Sequence, residues 1–266
     1  MLKNWARVVR RRMIYGLYLS AQGAETQALR QAVLANNLAN AQTTAFKPDI
    51  PVFRAHFPFD VEHQQPSEPP PTIDDQTGGV SLEATVTDFA QGPLQVTQRP
   101  LDVAILGRGF LQVGSPGGPL LTRNGQLAID PSGQITTPEG YLVHDPSGQP
   151  IAVPEGYTQI DIAQDGTVSA LDAGGVREIF GRIGLFEPTD IRQMTKEGNS
   201  FYRPLEGVQP AVTGQLRQGV LEQSNADPVH GMVELIETSR AFEMNMNLVK
   251  YQDEMLGQLI QSVPRR

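Results

Sequence analysis

From Leu17 onward, apolar residues recur at steps of three and four: Leu17, Ala21, Ala24, Ala28, Ala32, Ala35 and Leu38. One stripe at that spacing predicts an amphipathic helix. No proline, and of the glycines only Gly16 and Gly23, interrupts residues 14–40. The stripe is mostly alanine, so it buries little area by itself and permits a second helix to come close. At the other end Met232, Leu235, Ser239, Phe242, Met246, Val249, Asp253, Leu256 and Ile260 alternate the same steps, and seven of these nine are apolar. A repeat of about 3.5 residues is the pattern of a coiled-coil seam. Asp227-Pro228 is a helix start signal, with the acid as cap and the proline at the first helical position. An ordinary amphipathic helix on the protein's own core carries the same pattern, and that alternative stays open.

The middle of the chain reads differently. Turn dipeptides recur at Asn124-Gly125, Ser132-Gly133, Glu139-Gly140, Ser147-Gly148, Glu155-Gly156 and Asp165-Gly166. Strand-like runs lie between such turns, at 101–106, 109–113, 157–162 and 182–186. DPSGQITTPEGY (130–141) is echoed by DPSGQPIAVPEGY (145–157), two copies that predict consecutive hairpins. Residues 47–80 hold Pro51, Pro58, Pro66, Pro69, Pro70 and Pro71 among Asp, Glu and Gln, which predicts a polyproline-like linker. The fold class is therefore α+β: long N- and C-terminal helices packed as a coiled coil, with a central all-β domain of short strands and hairpins. The domain map is a basic extension (1–12), an N-terminal helix (13–46), the Pro-rich linker (47–80), a β-rich domain (81–221) and a C-terminal coiled-coil helix (222–262).

Composition narrows the functions. The chain has no Cys and four His, which leaves no thiolate metal site and little for an imidazole one. The net charge of −8 disfavours binding nucleic acid through its phosphates. No stretch is apolar enough for a membrane helix. Lys3, Arg7, Arg10, Arg11 and Arg12 make the first 12 residues basic, with no acid among them. With the MIYGLYLSA that follows, they superficially resemble a signal peptide with Ser20 and Ala21 near its end. A start at Met13, with an untranslated upstream extension, and a disordered basic arm are the other readings.

No motif for nucleophilic, metal-assisted or nucleotide chemistry is present. Asp74-Asp75 lies in the linker, where nothing would position two carboxylates. His56 and His63 read as an unremarkable pair, Gly107-Arg108-Gly109 as a tight turn, and Asp130, Asp145 and Asp165 as turn formers. No catalytic, cofactor-binding or metal-ligating residue is expected, and a structural or binding role follows.

Three blocks carry a resemblance. They are MIYGLYLSAQGAETQALRQAVLANNLANAQTTAFKPD (13–49), DFAQGPLQVTQRPLDVAILGRGFLQV with LTRNGQLAIDPSGQITTPEGY (88–113, 121–141), and GVLEQSNADPVHGMVELIETSRAFEMNMNLVKYQDEML (219–256). In this order they resemble the bacterial flagellar rod and hook family, and within it the basal-body rod proteins. GRIGLFEPTDIRQMTKEGNSFYRP (181–204) looks closer to the FlgF type than to the FlgG type. The resemblance implies a non-enzymatic subunit of the periplasmic rod in the flagellar basal body. Such a subunit is exported by the flagellar type III apparatus without a cleaved signal peptide. Its partners are copies of itself and neighbouring rod proteins, met through terminal helices that build a torque-transmitting tube, with no nucleic acid and no membrane insertion. The interface residues then expected are Leu17, Ala21, Ala28, Ala35 and Leu38, with Leu235, Phe242, Met246, Val249 and Leu256. Asn36, Asn37 and Asn40 are expected to bond between subunits, with a helix C-cap as the other role for Asn40. A secreted β-rich cell-wall or glycan-binding module on a helical oligomerisation stalk is the competing function. Its weakness is the lack of any Trp in the β region.

Overall fold

A computed structural model describes residues 2–57, 79–157, 159–198 and 200–262. It is α+β. Helix α1 spans Leu2–Ala39 and helix α2 spans Pro228–Ser262, with short strands between them. α2 starts directly after Asp227, where the Asp-Pro signal places it. The chain divides into two compact units.

The first unit contains α1, α2 and two strands, β1 (Asp49–His56) and β2 (Gly79–Thr87), the last residue of β2 counting with the second unit. Gly16 lies beside Gln252 and Gly23 beside Asn245, and Arg30 reaches Glu234 at 4.0 Å. Numbers rise along one helix as they fall along the other, so the helices are antiparallel. β1 and β2 pair with each other. Arg54 meets Glu83, and His56 Nε2 lies 2.8 Å from Ser81 Oγ, which makes the ribbon antiparallel. It is fastened to α1 at both ends. Asn37 donates through Nδ2 to the Asp49 carbonyl at 2.8 Å and accepts the Asp49 amide through Oδ1 at 2.9 Å. Thr26 Oγ1 donates to the Val80 carbonyl at 3.1 Å. Gly79 takes φ +87°, which strains any side chain, and a Cβ there would also have to displace the Gln22 amide, 1.8 Å away.

The second unit comprises Ala39–Pro48 and Thr87–Asp227. Its main sheet is antiparallel. Strands run in the order Met194–Glu197, Phe201–Pro204, Gly118–Thr122, Phe110–Ser115, Leu142–Val143, Ile135–Thr136 and Ala128–Ile129. Gln159–Ile162, Thr167–Leu171 and Arg177–Arg182 form a second sheet. Val103, Ile105, Leu111, Val113, Ile135 and Val168 are fully buried at the centre of its core. The repeated DPSGQ folds twice into one turn. Asp130 Oδ1 accepts the amides of Ser132 and Gln134, and Asp145 Oδ1 those of Ser147 and Gln149, all at 2.8 Å. The strands leaving the two turns bond to each other, Ile135 to Ile151 and Val153 to Gly133.

Several sequence expectations are corrected. The expected linker 47–80 carries β1 and β2 at its ends. Pro51 concealed β1, yet a proline is tolerated in an edge strand, and β1 pairs on one side only. Its central part, with Pro58, Pro66, Pro69, Pro70, Pro71, His63, Asp74 and Asp75, lies outside the described residues. The N-terminal helix ends at Ala39 and not near 46. Ala45 takes φ 56°, and Ala45, Phe46 and Lys47 are buried in the second unit. The C-terminal helix starts at Pro228 and not at 222, because Val220–Glu222 is a strand paired with Leu94–Val96. The run 182–186 is two strands, broken at Ile183 and Gly184. Residues 2–12, for which a disordered arm was one reading, are the first turns of α1.

Candidate assembly interface

Among the less exposed positions of α2, Gly231, Leu235, Thr238, Phe242, Asn245, Val249, Gln252 and Leu256 alternate steps of four and three, flanked by the half-buried Glu234, Ser239, Ala241 and Gly257. Leu235, Phe242, Val249 and Leu256 therefore sit on this inward seam, as their spacing implies. Met246 does not and is 46% exposed. Thr238, Asn245 and Gln252 occupy the alternate layer in place of Ser239, Met246 and Asp253. The reason is the partner surface: α1 presents Gly16 and Gly23 there, and both admit an amide side chain. On α1, Leu17 and Leu38 are half-buried, whereas Ala21, Ala28, Ala35 and Asn36 are exposed. Of the alanine stripe, Ala24 is buried, while Ala21, Ala28, Ala32 and Ala35 remain open.

The three asparagines separate. Asn37 uses both amide atoms on Asp49, a bond within the chain. Asn40 is buried just past the end of α1 and accepts from Thr43 Oγ1 at 3.1 Å. It is not among the residues with positive φ, so it does not form a left-handed C-cap. Asn36 is the one of the three that is exposed.

Sequence reasoning missed a second apolar stripe on α2. Val233, Ile236, Met244, Leu248, Tyr251 and Met255 are 47–63% exposed. Their spacing places them on one face, roughly opposite the seam. The signal was present as a second set of three- and four-residue steps, which marks a helix apolar on two sides.

The second unit contains a buried ionic cluster that sequence reasoning also missed. Glu222 accepts from Lys47 Nζ at 2.5 Å, from Arg123 Nε at 2.9 Å and from the Gly92 amide at 3.0 Å. Lys47 also donates to the Ala90 carbonyl at 2.6 Å, and Arg123 to the carbonyls of Ile105, Gly107 and Gly109 at 3.0–3.2 Å. Burial pulls the Lys47 ammonium below its ordinary pKa, while the hydrogen bond and charge of Glu222 act against that shift. The cluster joins the segment that follows α1 to the segment that precedes α2. Lys196 adds to it, donating to the Lys47 carbonyl at 2.8 Å and lying 4.1 Å above the Phe46 ring. Near it an open cavity of about 590 Å³ is lined by Thr43, Asn124, Glu139, Tyr141, Glu197 and Ser200. Among the described residues no group of three or more acids or histidines is placed to hold a metal, and no helix is long and apolar enough to cross a membrane.

Three family models match in sequence order. Residues 17–47 match the flagella basal body rod protein, 104–170 the D1 domain of the flagellar hook protein FlgE/F/G, and 217–262 the C-terminal part of the flagellar basal body rod FlgEFG protein. The chain is 33% identical over 231 residues to the flagellar basal-body rod protein FlgF of Caulobacter vibrioides, covering 85% of this chain and 89% of that one. It is 35% identical over 262 residues to FlgF of Escherichia coli, covering 92% and 96%. It is 31% identical over 276 residues to the rod protein FlgG of Buchnera aphidicola, covering 94% and 100%. The chain belongs to the flagellar basal-body rod protein family. This membership replaces the glycan-binding reading. The ionic cluster of this rod-family chain takes Lys47, Arg123 and Glu222 from the three matched segments, one from each.

Proposed function

We propose that this chain is a structural, non-enzymatic rod subunit of the FlgF type, whose terminal helices join copies of itself and neighbouring rod proteins into the torque-transmitting axial tube. The observation that carries this is the outward stripe of α2. Six large apolar side chains at helical spacing face solvent in the single chain. Such a face is stable in water only when covered, and burying each side chain contributes about 1.5–3 kcal/mol. The open alanines of α1 allow close helix approach. A helical tube follows when one surface of a subunit meets a different surface of the next and the contact does not close. The FlgF type is favoured by the 181–204 block and by identities of 33–35% to FlgF relatives against 31% to a FlgG relative.

The subunit acts in the periplasmic part of the basal body and reaches it through the flagellar type III export apparatus. Retention of the N-terminal segment is favoured by the helix pair itself. Ser20 Oγ accepts from Gln252 Nε2 and Gly16 lies beside the same side chain, and cleavage after Ala21 would remove both. A strain lacking this subunit tests the reading by complementation. Leu248→Asp and Met244→Asp should abolish motility and recovery of the chain in isolated hook–basal bodies, with the β unit still folded by circular dichroism. Phe242→Asp, on the inward seam, should do the same by breaking the helix pair. Full motility in the Leu248→Asp and Met244→Asp variants would overturn the proposal.

A further inference from the structure

Between the apolar layers of Leu235, Phe242, Val249 and Leu256, the contact of α1 with α2 carries polar ones. A Cβ on Gly16 would lie 3.3 Å from Gln252 Nε2, and one on Gly23 would lie 3.0 Å from Asn245 Oδ1. Gln252 Nε2 also approaches Ser20 Oγ at 3.4 Å, while its Oε1 is buried with no protein donor. Meanwhile the six large apolar residues of α2 point away. A helix pair selected only for its own stability would turn that stripe inward. Polar groups in a helix seam cost stability, and their best-attested use is to specify register.

The spacing fits that use. Gly16 and Gly23 are seven residues apart, and so are Asn245 and Gln252, on helices that run in opposite directions. Both amides therefore meet a glycine in one alignment. Sliding α2 by one heptad in one sense moves Gln252 onto Gly23 but sets Asn245 against Arg30, where no notch exists. Turning α2 to bury Val233, Ile236 and Leu248 removes both amides from both glycines. Gly231 and Gly257, also on α2, have nothing within 4 Å of a would-be Cβ, so a glycine there answers no packing demand.

We propose that Gly16 and Gly23 of α1, notched by Gln252 and Asn245 of α2, set the register and rotation of the helix pair and thereby keep the apolar stripe of α2 outside. The consequence for assembly rests on the rod-subunit reading; the register itself does not. Gly16, Gly23, Asn245 and Gln252 are positioning residues in this sense, and the apolar stripe is what they position.

The chain contains no cysteine, so introduced pairs report register without background. Arg30→Cys with Glu234→Cys, in the purified full-length chain, is cross-linked with a short bis-maleimide. Adding Gly16→Ala and Gly23→Ala should lower the intramolecular cross-link yield at least threefold, although alanine is the stronger helix former. Adding Asn245→Ala and Gln252→Ala to that variant should restore the yield to within twofold. Gly231→Ala and Gly257→Ala should leave it unchanged. An unchanged yield with the Gly16→Ala and Gly23→Ala pair, or no restoration when both amides are removed, would overturn the register proposal. Motility is scored separately with the Leu248→Asp variant. A register shift in the purified chain together with motility unaffected by Leu248→Asp would leave the register assignment standing and sink the rod-subunit reading.

Discussion

The β unit and the helix unit distribute polarity in opposite ways. In the β unit Val103, Ile105, Leu111 and Val113 are fully buried, and even the buried charges of Lys47, Arg123 and Glu222 are paired. In the helix unit the seam alternates Leu235, Phe242, Val249 and Leu256 with Thr238, Asn245 and Gln252, while Val233, Met244, Leu248 and Tyr251 lie outside. The first has the makings of a fold completed within one chain. The second has a surface that one chain leaves uncovered. The proposed role as a subunit of an axial tube accounts for that difference: one part is finished before assembly, and the other keeps an apolar face for neighbours.

The largest expected break of this contrast is Glu222→Gln. It leaves Lys47 and Arg123 buried without their counter-charge, and one orphaned partner costs about 3–5 kcal/mol. Denaturant unfolding followed through a β-unit probe measures it; a loss below about 1 kcal/mol would remove the cluster from the account of that unit's stability. Matched leucines sharpen the contrast next. Leu111→Ala should cost about 2–5 kcal/mol, as a fully buried deletion does. Leu235→Ala, half-buried on the helix seam, should cost well under half as much in the same assay. Equal losses would erase the distinction between the two units.

Asn37→Ala comes third. It removes two hydrogen bonds that root β1 on α1, at about 0.5–1.5 kcal/mol each. Faster hydrogen exchange at the Asp49 amide, with unchanged protection around Leu111, is the expected readout. The smallest effect is electrostatic. The hydrogen bond from Arg203, with its positive charge, holds Glu197 below its usual pKa of 4.5. The folded value is depressed, so the stabilisation is present above pH 4.5 and disappears as pH falls through the lower folded value. Arg203→Gln should remove that part of the acid limb in thermal unfolding measured from pH 7 down to pH 3.

Both helices, the β character of the centre and the twin DPSGQ turns were legible because they depend on local rules. Period, cap residues and turn chemistry act over a few positions. The seam was half legible. Leu235, Phe242, Val249 and Leu256 announce themselves by apolarity, but Asn245 and Gln252 are inward where glycines face them. β1 was missed because Pro51 reads as a breaker, although an edge strand accepts it. Lys47, Arg123 and Glu222 could not be read as a group. A lone charged residue in sequence implies exposure, and these three are 76 and 99 positions apart.

By itself the sequence determined the helical ends, the hairpin-rich middle, the absence of any thiol and the family resemblance. Each of these follows from neighbours within a turn or two, or from residue types whose chemistry is independent of where they lie. Only the tertiary structure decided which face of α2 is inward, where the helices stop, that the ribbon lies on α1, and that three distant charges share one buried site. Those are properties of surfaces that meet across long stretches of chain, and burial reverses what a residue type would do in water: it hides a lysine, turns an amide inward and leaves leucine and methionine outside.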